Sequence, residues 1–424
     1  VEALGRELEE REPGTYDRLL EKVRPEDVAI MVYTSGTTGP PKGAMLSHYN
    51  ITQFLDAQAQ VIPQYDTDEI VSYLPLCHVA ERIMSVFLPI HSGATVNFAE
   101  SVDTVTQDMR EIFPTVFLAV PRIWEKMMAS VIIKMKDASR MKKKAYRVCM
   151  PVGERMAEAR LSRQGISLAL RIKFALAHVT LFRHLKKELG LLRVRLALSG
   201  AAPIAPEVLK YFHSLGVEVV EGWGMTEETG IATINRPGDV RLGTVGKAIP
   251  GVEIRIAEDG EILLKCSHIF VGYWKDPEAT ARTVRDGWLY TGDVGEMDGD
   301  GRLKITDRKK EIIITSGGKN IAPSEIENRL KCSPYINEAI VIGDGRKYLA
   351  ALIQIEYDNV AKWAQERSIA YTTFKSLARN PAVYDLIREE VHGANKDFAQ
   401  VETVKKFRLL EKELDHDDDE LTAT

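Results

Sequence analysis

The stretch Thr34–Gly43, which reads Thr-Ser-Gly-Thr-Thr-Gly-Pro-Pro-Lys-Gly, constrains this chain more than any other. It follows the apolar run Val28–Tyr33, which predicts a short buried strand. Backbone N–H groups and hydroxyls of such a loop can surround an anion, and Lys42 adds a positive charge. The pattern therefore predicts a phosphate site. Its expected members are Thr34, Ser35, Gly36, Thr37, Thr38, Gly39 and Lys42.

A Walker phosphate loop is the obvious rival, and its spacing does not fit. Counted from Gly36, the second glycine of that motif falls on Pro41, and the hydroxyl residue after the lysine falls on Gly43. A solvated turn between two elements is the other alternative. The length and the ordered composition of Thr34–Gly43 favour the phosphate site over such a turn.

The composition is that of a globular protein with room for two or three domains. The chain has 424 residues, of which 45% are hydrophobic and 28% are charged. Its four cysteines are far apart and predict neither a zinc site nor a disulfide framework, which favours a reducing cytoplasm. We expect no membrane span and no export signal.

Charge is distributed unevenly along the chain. The formal net charge is −5, yet residues 121–195 contain 19 Lys/Arg and 5 Asp/Glu, a local net charge of +14. A basic face of this size can contact an anionic lipid surface or nucleic acid, or it can be solvated. The lipid surface and the solvated face are equally good interpretations, and we expect no nucleic acid.

Strand-like apolar runs alternate with helix-compatible stretches in the first half of the chain, which is typical of an α/β fold around a parallel-type sheet. A helix capped by Ser47 is expected after the first loop. Beyond Gly243 the pattern changes to hairpins with glycine turns, and a compact α+β unit with a helical, charged tail follows. The predicted strands of the first half are Val71–Leu74, Ala94–Phe98, Thr115–Val120, Arg195–Ser199 and Glu218–Val220.

A second motif, Glu221–Glu228, follows the last of these strands. Its two glycines let the backbone approach a ligand, and Trp223 offers a face for a base. Glu227 beside the hydroxyl of Thr226 can hold Mg²⁺ between phosphate oxygens. Alone, the motif is equally a tight turn after a strand, and it gains force only together with the first loop.

Three further stretches carry groups suited to a nucleotide. The small residues Ser199–Pro203 end a strand and let a purine lie against the backbone. Asp293, at an expected turn, can accept two ribose hydroxyls. The cluster Asp307–Glu311 is strongly charged. The respective alternatives are a plain turn, a turn-stabilising aspartate and a solvated charge run, and we expect the last for Lys309.

Taken in order, these motifs resemble those of the adenylate-forming acyl-CoA synthetases, a superfamily that also includes firefly luciferase and the adenylation domains of peptide synthetases. The resemblance covers essentially the whole chain and implies ATP, Mg²⁺ and CoA as cofactors and substrates. It implies catalytic roles for Lys42, Thr226, Glu227, Arg308 and Lys310, and metal contacts for Thr38 and Glu227. It also implies nucleotide or CoA contacts for Gly200, Ala201, Ala202, Trp223, Gly224, Asp293, Gly317, Gly318 and Lys319.

Individual roles follow from the same resemblance. Trp223 would stack on the base, Asp293 would bind the ribose hydroxyls and Lys310 would be a hinge. Gly317–Lys319 would line the entry path of the CoA thiol, where glycine leaves room for a narrow pantetheine arm. His78, followed by Glu-Arg as in long-chain relatives, would line the site of the fatty acid; a surface or packed histidine is the alternative.

The resemblance also implies a domain organisation. We expect a large α/β N-terminal domain at 1–309, with a β-rich subdomain at about 243–309, and a small mobile α+β C-terminal domain at 310–424 after Lys310. Relatives carry additional sequence before the first loop and a catalytic lysine after a Leu-Thr-x-Thr element, here Leu421–Thr424. We therefore expect the N-terminal domain to be incomplete and the chain to be part of a longer protein.

The expected function is that of a long-chain fatty acid–CoA ligase in the cytoplasm, with peripheral contact to an anionic membrane surface. The long basic and apolar segment between Pro121 and Ser199 resembles the long-chain branch. Two alternatives stay open: an enzyme that passes the acyl group to a carrier protein, and a nucleotide- or acyl-binding protein without turnover.

Overall fold

A seven-stranded sheet organises the first half of the protein. The computed structural model describes residues 1–34, 41–102 and 104–414. Within these ranges the sheet order is β4-β3-β5-β6-β7-β8-β9, with parallel pairing from β4 to β7 and antiparallel pairing beyond. The strands up to this point are β1 (Val28–Thr34), β2 (Lys42–Ser47), β3 (Glu69–Ser72), β4 (Thr95–Phe98), β5 (Val116–Ala119), β6 (Leu196–Ser199), β7 (Val219–Trp223), β8 (Thr233–Ile234) and β9 (Lys247–Ala248).

Both faces of this sheet are buried. Val116 and Val220 belong to one apolar core, whereas their neighbours Phe117 and Val219 belong to another. Because successive side chains of a strand point to opposite faces, the two cores lie on opposite sides of the sheet. The α/β fold expected from the alternating pattern is confirmed.

Helices cover the sheet, and turns of π-helix at Ile83–Phe87 and His178–Phe182 connect two pairs of them. The Ser47 cap is confirmed, because Ser47 Oγ accepts from the backbone N–H of Asn50. No helix within the described ranges is both long and apolar enough to cross a bilayer. The helices are α1 (Glu2–Arg11), α2 (Thr15–Leu20), α3 (His48–Ala59), α4 (Val79–Arg82), α5 (Leu88–Ser92), α6 (Val105–Ile112), α7 (Pro121–Asp137), α8 (Arg140–Leu161), α9 (Leu168–Ala177), α10 (Arg183–Glu188) and α11 (Pro206–Ser214).

The β-rich part contains β10 (Glu253–Ile256), β11 (Glu261–Lys265), β12 (Gly272–Tyr273), α12 (Pro277–Thr283), β13 (Val284–Arg285), β14 (Trp288–Met297) and β15 (Leu303–Arg308). β12 leaves this part and pairs with β2, giving a small sheet of order β1-β2-β12. β1 is therefore an edge strand. The expectation that it is buried is wrong, since only Val32 in it is buried and Tyr33 is 56% exposed.

The last unit has its own apolar core. Its elements are β16 (Ile313–Ile314), β17 (Asn320–Ile321), α13 (Pro323–Lys331), β18 (Ile336–Ile342), β19 (Leu349–Ile355), α14 (Tyr357–Gln365), α15 (Phe374–Ala378), α16 (Pro381–Ala394) and β20 (Val404–Leu409). The tail was expected to be helical, but β20 pairs in parallel with β19. Val404 and Leu409 at its two ends are buried, whereas Lys405, Lys406 and Arg408 are exposed.

Helix α7 is the surface on which the last unit packs. Arg122, at its start, contacts the side chains of Asn337 and Glu356. At its end, Lys136 contacts the Tyr335 hydroxyl and Asp137 contacts Lys362. The last unit is thus held at both ends of one helix.

Candidate functional site

A cavity of about 900 Å³ opens at the carboxyl edge of the parallel strands. Leu74, Val120, Gly200 and Gly224 line it, and each lies just after the end of β3, β5, β6 or β7. Ligands of open α/β sheets bind at this edge, because the loops that follow the strands converge there. The cavity is therefore the candidate site.

The first motif reaches the cavity through Thr34 and Lys42, which face each other across the β1–β2 pair. The antiparallel pairing brings the two ends of the loop together. The other expected phosphate residues lie outside the described residues; they are Ser35, Gly36, Thr37, Thr38 and Gly39.

Tyr273 stands between the two expected catalytic charges. Its hydroxyl donates a hydrogen bond of 2.6 Å to Glu227 Oε1, and Lys42 Nζ lies 5.2 Å from the centre of its ring. Burial and the Glu227 carboxylate raise the pKa of the Tyr273 hydroxyl. The phenol therefore stays a neutral donor that fixes the Glu227 carboxylate.

The turn that carries Glu227 is anchored from behind. Thr226–Glu228 is a single 3₁₀ turn, and the N–H of Phe270 donates to the carbonyl of Glu227 at 2.8 Å. Glu228 is fully buried with His268 Nε2 at 3.2 Å, and burial raises the pKa of Glu228. Thr226 and Glu227 are thus held in the cavity wall.

Glu227 suits a Mg²⁺ ion that is shared with phosphates. Mg²⁺ in nucleotide sites is usually bound by one or two carboxylates together with substrate phosphate oxygens and waters. Glu227 is a buried carboxylate that lines the cavity. Among the described residues, no three His, Cys, Asp or Glu side chains are grouped so that they could hold a metal ion by themselves.

Asp293 lies within strand β14, not at a turn as expected. A register shift beside it and the positive φ of Gly292, 74°, locally distort the strand. Trp223 Nε1 donates to one carboxylate oxygen at 2.8 Å, and Arg308 Nε contacts the other at 2.9 Å. Burial raises the pKa of Asp293, and the nearby Arg308 opposes this rise.

In the cluster after β15, Lys309 is exposed, as expected for a solvated charge. It also forms ion pairs with Asp259 at 2.5 Å and with Glu261 at 2.9 Å. All three residues line the cavity, as do Arg308 and Lys310.

Several expected residues lie outside the cavity lining. The Trp223 indole donates a hydrogen bond to Asp293, and neither residue lines the cavity. Ala202 does not line it either, whereas Gly200 and Ala201 do. Gly317–Lys319 forms the turn between β16 and β17, with Lys319 Nζ 3.7 Å from Glu402. Among the described residues, Thr34, Lys42 and Lys310 therefore line one cavity, and the glycine turn does not.

The cavity has an apolar wall, which we define by Phe54, Val79, Ile83, Met84, Leu118 and Ile231. His78 also lines the cavity and directly precedes Val79 of this wall. On the polar side, Ser199 Oγ is buried and has no hydrogen-bond partner among the described residues. One cavity thus offers surfaces for both a charged and an apolar ligand part.

Sequence reasoning missed Tyr273, Phe54 and Gln58, all of which line the cavity. Phe54 and Gln58 are four residues apart on the amphipathic helix α3, and this spacing could have indicated a shared inward face. Tyr273 has no comparable signal, because it reaches Glu227 only through the long-range pairing of β12 with β2.

Comparison with known proteins decides the family. The profile described as AMP-binding enzyme matches residues 2–274, and the profile described as AMP-binding enzyme C-terminal domain matches residues 310–413. The chain belongs to the AMP-binding enzyme family. A Mycobacterium tuberculosis protein described as putative fatty-acid–CoA ligase FadD11 is 38% identical over 405 residues. The match covers 95% of this chain and 71% of that protein.

Other members of the family carry long-chain names. The long-chain-fatty-acid–CoA ligase FadD15 of Mycobacterium tuberculosis is 35% identical over 97% of this chain and 68% of that protein. The long-chain-fatty-acid–CoA ligase ACSBG2 of Homo sapiens is 31% identical over 94% of this chain and 63% of that protein.

Solved structures of the family share the fold. The adenylation domain of a carboxylate reductase from Mycobacterium chelonae superimposes with a TM-score of 0.71 at 23% identity, covering 92% of this chain and 56% of that one. An anthranilate CoA ligase in complex with anthranoyl-AMP gives 0.66 at 20% identity, covering 92% and 64%.

Proposed function

We propose that this protein is a long-chain fatty acid–CoA ligase that uses ATP and releases AMP and pyrophosphate. The observation that carries the proposal is the single cavity in which Lys42, Glu227 and Arg308 share a space with the apolar wall. The names of the relatives support the same activity.

The reaction has two steps. A carboxylate oxygen of the fatty acid attacks the α-phosphorus of ATP, and the bond to the β-phosphate breaks, so pyrophosphate leaves with the bonding electrons. The sulfur of CoA then attacks the acyl carbon, its proton is lost, and AMP leaves. Neither step needs a side-chain nucleophile.

The protein contributes positioning and charge. Lys42 and Arg308 would balance the negative charge that develops on the phosphates, and a buried site strengthens this effect. Glu227, with Thr38, would hold Mg²⁺, which would supply positive charge to the phosphates. The apolar wall would exclude water from the acyl carbon.

The unit after residue 310 would be the mobile C-terminal domain, with Lys310 as its hinge. Passing the acyl group to a carrier protein is the alternative. CoA and a carrier protein offered in parallel, each with purified acyl-AMP, distinguish the two acceptors.

Pyrophosphate release by the purified protein tests the proposal. We expect AMP and pyrophosphate only when ATP and a fatty acid are both present, with about sixteen carbons preferred over about eight because each buried CH₂ contributes roughly 0.8 kcal/mol. ADP as the product, or equal activity on acetate, would refute it.

Peripheral contact with an anionic membrane is a second proposal. Leu168, Ile172, Leu176 and Val179 are each more than half exposed and follow helical spacing along one face of α9 and its extension. This apolar stripe lies within the segment 121–195, whose local net charge is +14. Such a combination suits a helix that lies in the surface of an anionic bilayer.

Sedimentation with vesicles tests this contact. We expect binding to vesicles that contain anionic lipid, weaker binding at high salt, and loss of binding in Ile172→Ser/Leu176→Ser. Ile90→Ser removes an exposed apolar side chain elsewhere and is the control. Equal sedimentation of all three proteins would contradict the proposal.

A further inference from the structure

Gln58 is a buried polar side chain in the cavity that contains the apolar wall. It lies on α3 one turn after Phe54, lines the cavity, and is only 3% exposed. Its side-chain oxygen Oε1 has no hydrogen-bond donor among the described residues. Phe54 in turn lies in the apolar wall, where the closest ring atom is 2.5 Å from the position that a Cβ on Gly230 would take.

A buried amide oxygen destabilises the folded protein unless a hydrogen-bond donor pairs with it. A buried acceptor without a donor costs about 1–3 kcal/mol, and native proteins leave few of them. Leucine, of similar size, would avoid this cost and would match the apolar wall. The amide is therefore expected to have a partner that enters the cavity.

We propose that the acyl part of the substrate carries a hydroxyl group that hydrogen-bonds to the Gln58 amide. This inference rests on the proposed function, since it concerns the same cavity and the same acyl chain. A hydroxyl both donates and accepts, so it pairs with either end of the amide whichever way the amide is turned. A plain hydrocarbon chain would cover the amide and leave it unpaired.

A positional series of hydroxylated acids tests the inference. We compare kcat/KM for pyrophosphate release with plain acids of about sixteen carbons and with the same acids carrying one hydroxyl at successive positions. One position should exceed the plain acid by about tenfold, as expected for one hydrogen bond to a buried group. In Gln58→Leu the ratio of kcat/KM for the hydroxylated acid to kcat/KM for the plain acid should fall to about one.

Two results would overturn the inference. The first is that no hydroxylated acid gives a higher kcat/KM than the plain acid, which would show that an ordered water pairs with Gln58 instead. The second is that Gln58→Leu lowers kcat/KM for both acids by the same factor, which would show that Gln58 only supports the structure. A thermal unfolding curve for Gln58→Leu confirms that the variant is folded.

Gln64→Leu is the matched control. Both amide atoms of Gln64 are also buried without a partner among the described residues, but Gln64 does not line the cavity. Its replacement should leave the preference for the hydroxylated acid unchanged.

Calorimetric binding separates this inference from the proposed function. If no acid releases pyrophosphate, the ligase assignment fails, yet tighter binding of the hydroxylated acid to the unmodified protein than to Gln58→Leu would still support the amide contact. Equal binding to both proteins would overturn it.

Discussion

Tyr273 places an uncharged donor between Glu227 and Lys42. Both groups thus contact one side chain, Glu227 through its hydroxyl and Lys42 through its ring. The hydroxyl occupies one lone-pair position of Glu227 Oε1, and the ring face attracts the ammonium group weakly. Tyr273 is therefore a positioning residue.

Tyr273→Phe tests this role. Loss of a hydrogen bond to a charged group costs about 1.5–3 kcal/mol, so kcat/KM for ATP should fall about tenfold or more. The apparent Mg²⁺ affinity should fall with it, whereas KM for CoA should not change. Tyr49→Phe, at a partly exposed tyrosine, is the control. An unchanged Mg²⁺ dependence would contradict the role.

Because of Glu221, at the centre of β7, we expect the free energy of unfolding to depend on pH. Burial raises its pKa from 4.5 to about 8. Between these values the folded state holds a proton that the unfolded state has lost, so the free energy of unfolding falls as pH rises. The slope from this one group is at most about 1.4 kcal/mol per pH unit.

Glu221→Gln should remove that slope and stabilise the protein near pH 8. Urea unfolding at several pH values between the two pKa values measures it. Glu253→Gln, at an exposed glutamate in β10, should keep the slope. Parallel curves for Glu221→Gln and the unmodified protein would disprove the prediction.

At the scale of elements, local pattern predicted most of the sheet and the cap of α3. It failed where distant residues decide. The position of Asp293 within β14 depends on the facing strands β11 and β15, which local turn chemistry cannot reveal.

The candidate site shows the same division. Motif positions such as Lys42, Thr226 and Arg308 could be predicted because short sequence signals carry them. The apolar wall could not, because its members come from α3, from the helical segment after His78, and from residues near β5 and β8. Their meeting depends on the topology of the sheet, which periodicity alone does not specify.

Gly230 marks how tightly these elements meet. A Cβ there would lie 2.5 Å from Phe54 Cζ and 2.9 Å from Ile83 Cδ1. Gly230→Ala should therefore displace the apolar wall, and overpacking of this kind costs about 1–3 kcal/mol. Use of an acid of about sixteen carbons should fall about tenfold relative to one of about eight.

Pyrophosphate release with both acids measures this ratio. Gly165→Ala is the control, since a Cβ at Gly165 has nothing within 4 Å. If Gly230→Ala lowers pyrophosphate release equally with both acids, the apolar wall is not where the end of the acyl chain binds.

At the scale of the whole molecule, α7 contacts both the parallel sheet and the last unit. It packs in the core under the parallel sheet through Trp124, and it holds the last unit through Arg122, Lys136 and Asp137. In this arrangement Lys310 lines the cavity and the Gly317–Lys319 turn does not. If that turn admits the thiol, the last unit must leave α7 before thioester formation.

Contacts on α7 should then favour adenylation over thioester formation. The Arg122–Glu356 pair is partly buried, with side chains 28% and 24% exposed. Ion pairs near a surface contribute up to about 1 kcal/mol, so Glu356→Gln should raise the ratio of thioester formation to adenylation by roughly threefold to fivefold. Pyrophosphate release and conversion of supplied acyl-AMP with CoA measure the two steps separately.

Asp397→Asn provides the matched control, because it removes an ion pair of 2.7 Å to Arg329 that lies entirely within the last unit. It should lower both rates equally or neither. The prediction depends on competition between two arrangements, so only the ratio is informative: a variant that merely destabilises the last unit slows both steps. If Glu356→Gln also changes both rates by one factor, the α7 contacts stabilise the molecule without selecting the step that it performs.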